Sequence, residues 1–463
     1  VTVGLSLLAV VVFATGVFAL TRPKHHGPSH PDQWDPRVLD IVHFDEKHRG
    51  LKFEHPVFVD FLSADEYAKR ARSDPNELTS EDKKSLQNEQ GELRALGLMT
   101  GDVDLFKAEN ELADSGTLAF YDPDTERVSV RGTDMTVELR VTLVHELTHA
   151  LQDQHFDIGS TREKSFETSG ESTAFRALVE GDAVRIENEY IDSLSDAERS
   201  EYLDSNSASV EKSQQQLQDV PIALQAFMAA PYIYGPPFAE VLDADGGQRE
   251  VDEAFKKPPV DDEQETDPPE FIHGRGPVQV DKPSLPDGVK DESDSGDLGA
   301  VTWFLMLAER IPPTQALQAA DGWGGDAYVA YEQAGKTCMR LAWRGDTAKD
   351  RTEMRDALDA WVGALPSNMA TVTENGEQLL VETCDPGSDS GIEISGNSMD
   401  ALSMIEVRSY LMVEKMQSGD NADSAFEFGD CVVDKLPFDV VAKVATSEDN
   451  PPKSFFDAID SCS

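Results

Sequence analysis

Val144-His-Glu-Leu-Thr-His-Ala150 decides how this chain is read. Its histidines, His145 and His149, are four residues apart, and residues four apart share one face of an α-helix, so both imidazoles can reach a single metal ion. Glu146 would then sit beside the ion's open position, where a carboxylate can take a proton from water. The preceding stretch, Met135-Thr-Val-Glu-Leu-Arg-Val-Thr-Leu-Val144, has apolar residues at 137, 141 and 144 and no helix breaker. It predicts an amphipathic helix running into the motif, with Thr133 or Asp134 as its N-cap. A chance HExxH is expected in roughly two of every hundred chains of this length and composition, so the flanking segments must discriminate.

A hydrolytic zinc site needs a third protein ligand and keeps one position open for water. Two residues compete for that role. His155 lies six residues beyond His149, but reaching the ion from there needs a sharp turn of the kind glycine supplies, and Gln152 stands at that position. Glu180, in Arg176-Ala-Leu-Val-Glu-Gly-Asp-Ala183, lies in a helix-like stretch from about Ser169 to Leu194. Ala177, Gly181 and Ala183 around it would let that helix approach the HExxH helix closely. Glu180 is preferred, with Glu171 and Glu187 as lesser alternatives.

The string His145-Glu-Leu-Thr-His-Ala-Leu-Gln-Asp-Gln-His-Phe-Asp157, followed by Ala177-Leu-Val-Glu-Gly-Asp-Ala183, resembles a little-characterised group of bacterial exported or membrane-anchored zinc metallopeptidases of the HExxH, gluzincin-like type. Weaker similarity continues through the Tyr-Asp-Pro hairpin at Tyr121, Pro231-Tyr-Ile-Tyr-Gly235, Glu263-Gln264 and Gly322-Trp-Gly-Gly-Asp326, spanning about residues 45 to 390. The resemblance implies zinc held by His145, His149 and Glu180, and it identifies no substrate. Two positions depart from it. Asp267 stands where a histidine is expected after Glu263-Gln264, and Val184 stands where a thermolysin-like enzyme has an Asp four residues beyond its ligand Glu. The acceptor that orients each ligand histidine stays open among Asp182, Glu187 and Asp153.

Upstream, Thr117-Leu-Ala-Phe-Tyr121 and Arg127-Val-Ser-Val-Arg131 flank Asp-Pro-Asp-Thr-Glu and predict a β-hairpin. It is the candidate edge strand to which an extended substrate could add through main-chain hydrogen bonds; an ordinary structural hairpin is the alternative. Residues 1 to 20 carry no charge and match the roughly 20 residues that span a bilayer. They predict a single-pass anchor holding the body outside the cytoplasm, or secretion if Val17-Phe-Ala19 is a cleavage site. Residues 21 to 45 then form a tether. Cys338, Cys384, Cys431 and Cys462 show no CxxC spacing, and in an exported chain they are expected to pair as Cys338 with Cys384 and Cys431 with Cys462.

With 40 basic and 88 acidic residues the net charge is −48, a field that repels nucleic acid and excludes it as a partner. The acidic runs Asp261 to Glu265 and Asp291 to Asp297 read as solvated loops. The second copies only the start of an EF-hand loop, with Thr302 where the bidentate Glu belongs. The expected architecture is α+β: a zincin-like metallopeptidase core over residues 46–390, mostly helical with a small edge-strand sheet and an acidic, Pro-rich excursion at 256–297. An N-terminal transmembrane helix precedes it and a small helical region, 391–463, follows. The expected activity is extracytoplasmic, zinc-dependent hydrolysis of a peptide or protein substrate, with Glu146 as general base and Tyr232, Tyr234 or His273 as a donor to the developing oxyanion. Two alternatives are a non-catalytic exported scaffold or binding protein stabilised by zinc, and a zinc hydrolase acting on non-peptide cell-envelope material.

Overall fold

The computed structural model describes residues 29–463 apart from residues 77, 116, 164–168 and 447–450. Its first part contains α1 (Leu39–His48), β1 (Phe58–Leu62), α2 (Ala64–Ala71), α3 (Ser80–Ala95) and α4 (Leu105–Asp114), then β2 (Ala119–Asp122) and β3 (Arg127–Arg131). The expected hairpin forms, with Tyr121 opposite Val128, and β1 joins it parallel to β3, giving the order β1-β3-β2 with β2 at one edge. Ala119, Tyr121, Val128 and Val130 pack in one cluster with Leu143, Val144 and Leu147 of α5 (Val137–Phe156). That packing sets the edge strand beside the metal motif.

The Thr136 hydroxyl caps α5 by accepting the Leu139 N–H at 3.1 Å, so the helix starts slightly later than the expected Thr133 or Asp134. Almost every side chain from Val137 to Gln152 is buried, which makes α5 a central helix rather than an amphipathic surface one. It runs unbroken through position 152 and stops only at Asp157, which adopts the left-handed conformation (φ 54°).

α6 (Ile158–Glu163), α7 (Ser169–Ser193), α8 (Asp196–Gln216) and α9 (Ile222–Gly246) follow. The small residues around Glu180 serve a different neighbour from the one expected. A Cβ on Gly181 would lie 2.2 Å from the Gly235 carbonyl, and one on Gly235 would lie 2.2 Å from Ala177 O. The tight crossing is therefore α7 on α9, and these glycines let the two backbones touch. Since α7 also packs on α5, it lies between α5 and α9.

Beyond α10 (Gln248–Lys256), α11 (Glu263–Thr266) and α12 (Pro268–Ile272) lies a second sheet. It comprises β4 (Glu292–Gly296), β5 (Trp323–Gln333), β6 (Lys336–Gly345), β7 (Ala370–Asn375) and β8 (Gln378–Cys384), antiparallel in the order β4-β5-β6-β8-β7. α13 (Ala300–Ala308), α14 (Pro313–Ala320) and α15 (Ala348–Ala364) share its core around Trp303, Trp343 and Trp361. The last helices are α16 (Asn397–Gln417), α17 (Ala422–Lys435), α18 (Phe438–Thr446) and α19 (Lys453–Cys462). α16 lies along α9, with Ala401, Leu402 and Ile405 in that same core. Disulfides join Cys338 to Cys384, across a β6–β8 register pair, and Cys431 to Cys462, between α17 and α19, the pairing expected from the sequence. Two disulfides fit a chain that matures in an oxidising, extracytoplasmic compartment.

Three further expectations are corrected. The chain is mostly helical but has two sheets rather than one small edge-strand sheet, because Trp323-Gly-Gly-Asp326, legible as a turn, opens the buried strand β5. Among the described residues no helix is long and apolar enough to cross a membrane. The apolar α13 has only 9 residues against the roughly 20 that a span requires, and the 25-residue α7 carries charges throughout. The transmembrane helix expected at residues 1 to 20 falls outside the described residues, so nothing in the fold supports it. Finally, Asp261 to Glu265 is buried rather than solvated. Asp262 caps α13 by accepting the Ala300 and Val301 N–H groups, at 2.8 and 3.3 Å, and burial pushes its carboxyl well above the usual range.

Candidate metal centre

His145 and His149 project one turn apart from α5, and Glu180 meets them from the middle of α7. His145 Nε2 lies 2.9 Å from His149 Nε2, and Glu180 Oε2 lies 3.3 Å from the first and 3.4 Å from the second. All three side chains are buried, and together they form a group able to hold a metal ion.

Hydrogen bonds behind the rings decide which nitrogens face inward. Gln152 Nε2 donates to Val179 O (3.1 Å) and to Asp182 Oδ2 (3.0 Å), both of which can only accept. The amide oxygen must then face His149 Nδ1, 2.9 Å away, and that nitrogen must carry the proton. His145 Nδ1 likewise donates to Glu187 Oε2 at 3.0 Å. Both Nε2 lone pairs are left aimed at each other and at a carboxylate oxygen.

Such a trio of acceptors needs positive charge at its centre. Without a metal a proton supplies it. Burial works against the His145 imidazolium, but hydrogen bonds to Glu180 and Glu187 outweigh it and raise its pKa to about 10. Burial would also raise Glu180, yet the two histidines pull it down to about 2. A divalent ion fits the same place. Tetrahedral bonds of ~2.0–2.1 Å separate ligand atoms by about 3.3–3.4 Å, the separation Glu180 shows from each histidine; the His–His distance is shorter. Two imidazoles and one carboxylate suit zinc.

A further layer holds these partners. Asp182 accepts from Arg49 Nε at 2.6 Å and from Arg185 Nη2 at 3.0 Å, and Arg49 also donates to Asp252 at 2.7 Å. Burial would raise Asp182, but the two guanidiniums keep its carboxyl below the usual range. Of the candidate orienting acceptors, Glu187 contacts His145 directly and Asp182 acts through Gln152. Asp153 serves the hairpin instead, accepting from the Tyr121 hydroxyl at 2.8 Å.

Glu146 stands beside the group without joining it. Its Oε2 accepts the Tyr121 N–H of edge strand β2 at 2.7 Å, while Oε1 is buried with no hydrogen-bond partner. Burial raises its pKa to about 8 against the opposing pull of His145 and the Tyr121 N–H. Tyr232 places its ring 6.4 Å from that of His145, and its buried hydroxyl faces Glu180 and Arg176; burial, and then the Glu180 carboxylate, raise its pKa well above the usual range. Tyr234 is turned elsewhere, into the main core, where Glu265 and Asp262 influence it. His273 pairs with Asp423 at 2.9 Å, away from the group. His155 donates to Lys52 O at 2.7 Å, because α5 continues where a third-histidine site would turn. Glu171 sits in the first turn of α7, outside the group.

A cleft of about 360 Å³ opens on His149 and Glu180. Tyr121 and Pro123 of the hairpin line it, with Phe175 and Arg176 of α7 and Phe227, Met228 and Pro231 of α9. Sequence reading missed Gln152 as a contributor, weighing it only as an absent glycine, although its i,i+3 spacing from His149 was a usable signal. It also left Arg176 without a role, although that residue lies one turn before Glu180.

The profile of a domain of unknown function (DUF8575) matches residues 287–394. That match covers the second sheet and α13 to α15, less than half of the chain, and lies wholly outside the metal group. No curated protein and no solved structure is significantly similar to the chain.

Proposed function

We propose that the chain is a zinc-dependent peptidase working outside the cytoplasm. One observation carries the reading: Glu146, which follows His145 on α5, keeps one buried carboxylate oxygen without a hydrogen-bond partner and is not part of the His145, His149 and Glu180 group. A structural ion would require the three ligands but no base beside them.

His145, His149 and Glu180 would hold the ion, which when bound lowers the pKa of water and polarises a carbonyl. Glu146 takes the proton of the attacking water on Oε1 while the Tyr121 N–H keeps Oε2 in place, then returns it to the leaving amine. The position of Tyr232 near His145 and Glu180 makes it the better donor to the developing oxyanion, and Tyr234 is not used. β2, an edge strand whose Tyr121 lines the cleft, supports an extended peptide as the substrate. The test is hydrolysis of a peptide library by the purified chain, with and without a chelator, alongside Glu146→Gln. Chelator-sensitive turnover that Glu146→Gln abolishes is expected. Zinc binding that stabilises the fold with no turnover of any peptide would favour the scaffold reading.

A further inference from the structure

One cation in the cleft is unaccounted for. Arg176 lines it one helical turn before Glu180; its guanidinium faces the Tyr232 hydroxyl, a neutral group, and two of its nitrogens, Nε and Nη2, are buried without a well-formed hydrogen bond. The third nitrogen's contact is the Met228 sulfur, 3.8 Å away, and the guanidinium lies 5.8 Å from the centre of the Tyr232 ring. No carboxylate among the described residues pairs with it, in a chain with 88 acidic residues against 40 basic ones. Leaving a buried guanidinium fork unsatisfied is costly, and its planar donors match a carboxylate in two-point geometry.

We infer that Arg176 anchors a carboxylate of the substrate, so that the peptides taken carry a free C-terminal carboxylate or an acidic side chain just beyond the scissile bond. The inference rests on the peptidase reading and names its substrate class. Residues one turn apart on a helix have side chains about 5–6 Å apart. A carboxylate held by Arg176 therefore sits within one residue's reach of a carbonyl at the Glu180 group. Phe175, Val179, Phe227 and Met228 add apolar walls, which suit a hydrophobic side chain on the residue released.

The experiment uses the full chain loaded with zinc and three N-acylated peptides with one scissile bond. One ends in phenylalanine with a free carboxylate, the second is its C-terminal amide, and the third is amidated with glutamate in place of the phenylalanine. The free acid, the glutamate peptide, or both should be cleaved about 10- to 100-fold faster than the phenylalanine amide, the range expected for hydrogen bonds to a charged group. Which one is faster identifies the source of the carboxylate. Arg176→Gln should erase the advantage, bringing the free acid and the glutamate peptide to the rate that the same variant shows on the phenylalanine amide, and Arg176→Lys should restore part of it.

Binding supplies a readout independent of turnover. N-acetylphenylalanine and its amide are titrated calorimetrically into zinc-loaded Glu146→Gln, with and without Arg176→Gln. A 10-fold or larger preference for the acid that needs Arg176 is expected even if no peptide is cleaved. Equal affinity for acid and amide with no faster cleavage of the glutamate peptide, or a preference that survives Arg176→Gln, overturns the anchor. Absence of turnover with that preference intact overturns only the peptidase reading.

Discussion

Replacing Gln152 by Leu tests whether the metal group is built from behind as the hydrogen bonds indicate. Leucine is close in volume and keeps the helix, but it cannot accept the His149 Nδ1 proton, now bonded at 2.9 Å. Either that N–H stays buried and unpaired, at about 1–3 kcal/mol, or the proton moves to Nε2 and the inward lone pair is lost. Both routes weaken a ligand without removing one, and changes of this kind typically cost 10- to 100-fold in metal affinity, about 1.4–2.8 kcal/mol. Asp182 keeps Arg49 and Arg185, so the variant should fold. Competition for zinc against a chromophoric chelator at neutral pH measures the ratio, with His155→Ala as control, expected within twofold of wild type. A Gln152→Leu variant that binds zinc as tightly as wild type, or a His155→Ala variant that loses as much, would refute the assigned geometry.

Glu146→Gln should bind zinc with unchanged stoichiometry yet lose roughly 10²- to 10⁴-fold in peptide hydrolysis; equal activity would remove Glu146 from the mechanism. Glu180→Ala should cut zinc affinity more deeply than Gln152→Leu, since it deletes a ligand, and the opposite ranking in the same competition assay would argue for a different third ligand. In the metal-free protein the His145 pKa is raised to about 10, so its stabilisation is complete below the unfolded value near 6.5 and fades as pH climbs through 10. Denaturant unfolding should accordingly show metal-free stability falling from pH 7 to 10. Zinc must displace that proton, so its apparent affinity should rise about tenfold per pH unit over pH 7 to 9, and a flat profile would contradict the assignment. Gly181→Ala forces a methyl against the Gly235 carbonyl, where backbone rather than a flexible side chain must give way. A loss of about 1–3 kcal/mol or more is expected by thermal unfolding, whereas Gly363→Ala, with open space around it, should cost nothing.

The HExxH spacing was enough to place two imidazoles on one face, because helical periodicity is local. Glu180 could be preferred from sequence for a related reason: the missing glycine at 152 is also a local signal, and α5 does continue past it. The hairpin and the disulfide partners were legible from turn residues and from local grouping. Other features depend on residues brought together only by packing. The glycine contact between α7 and α9 was misassigned because small residues announce a close approach without saying to what. Asp261 to Glu265 looked solvated, since acidity is a property of the letters and burial is a property of the fold, and Asp262 turned inward to cap α13. Gln152, Glu187 and Arg49 acquired their roles when α1, α5 and α7 were set side by side, as did the unpaired Arg176 when α9 closed the cleft. Sequence determined which side chains could bind a metal; tertiary structure decided which nitrogen of each ring faces it, because that choice is made by acceptors on another turn or another helix.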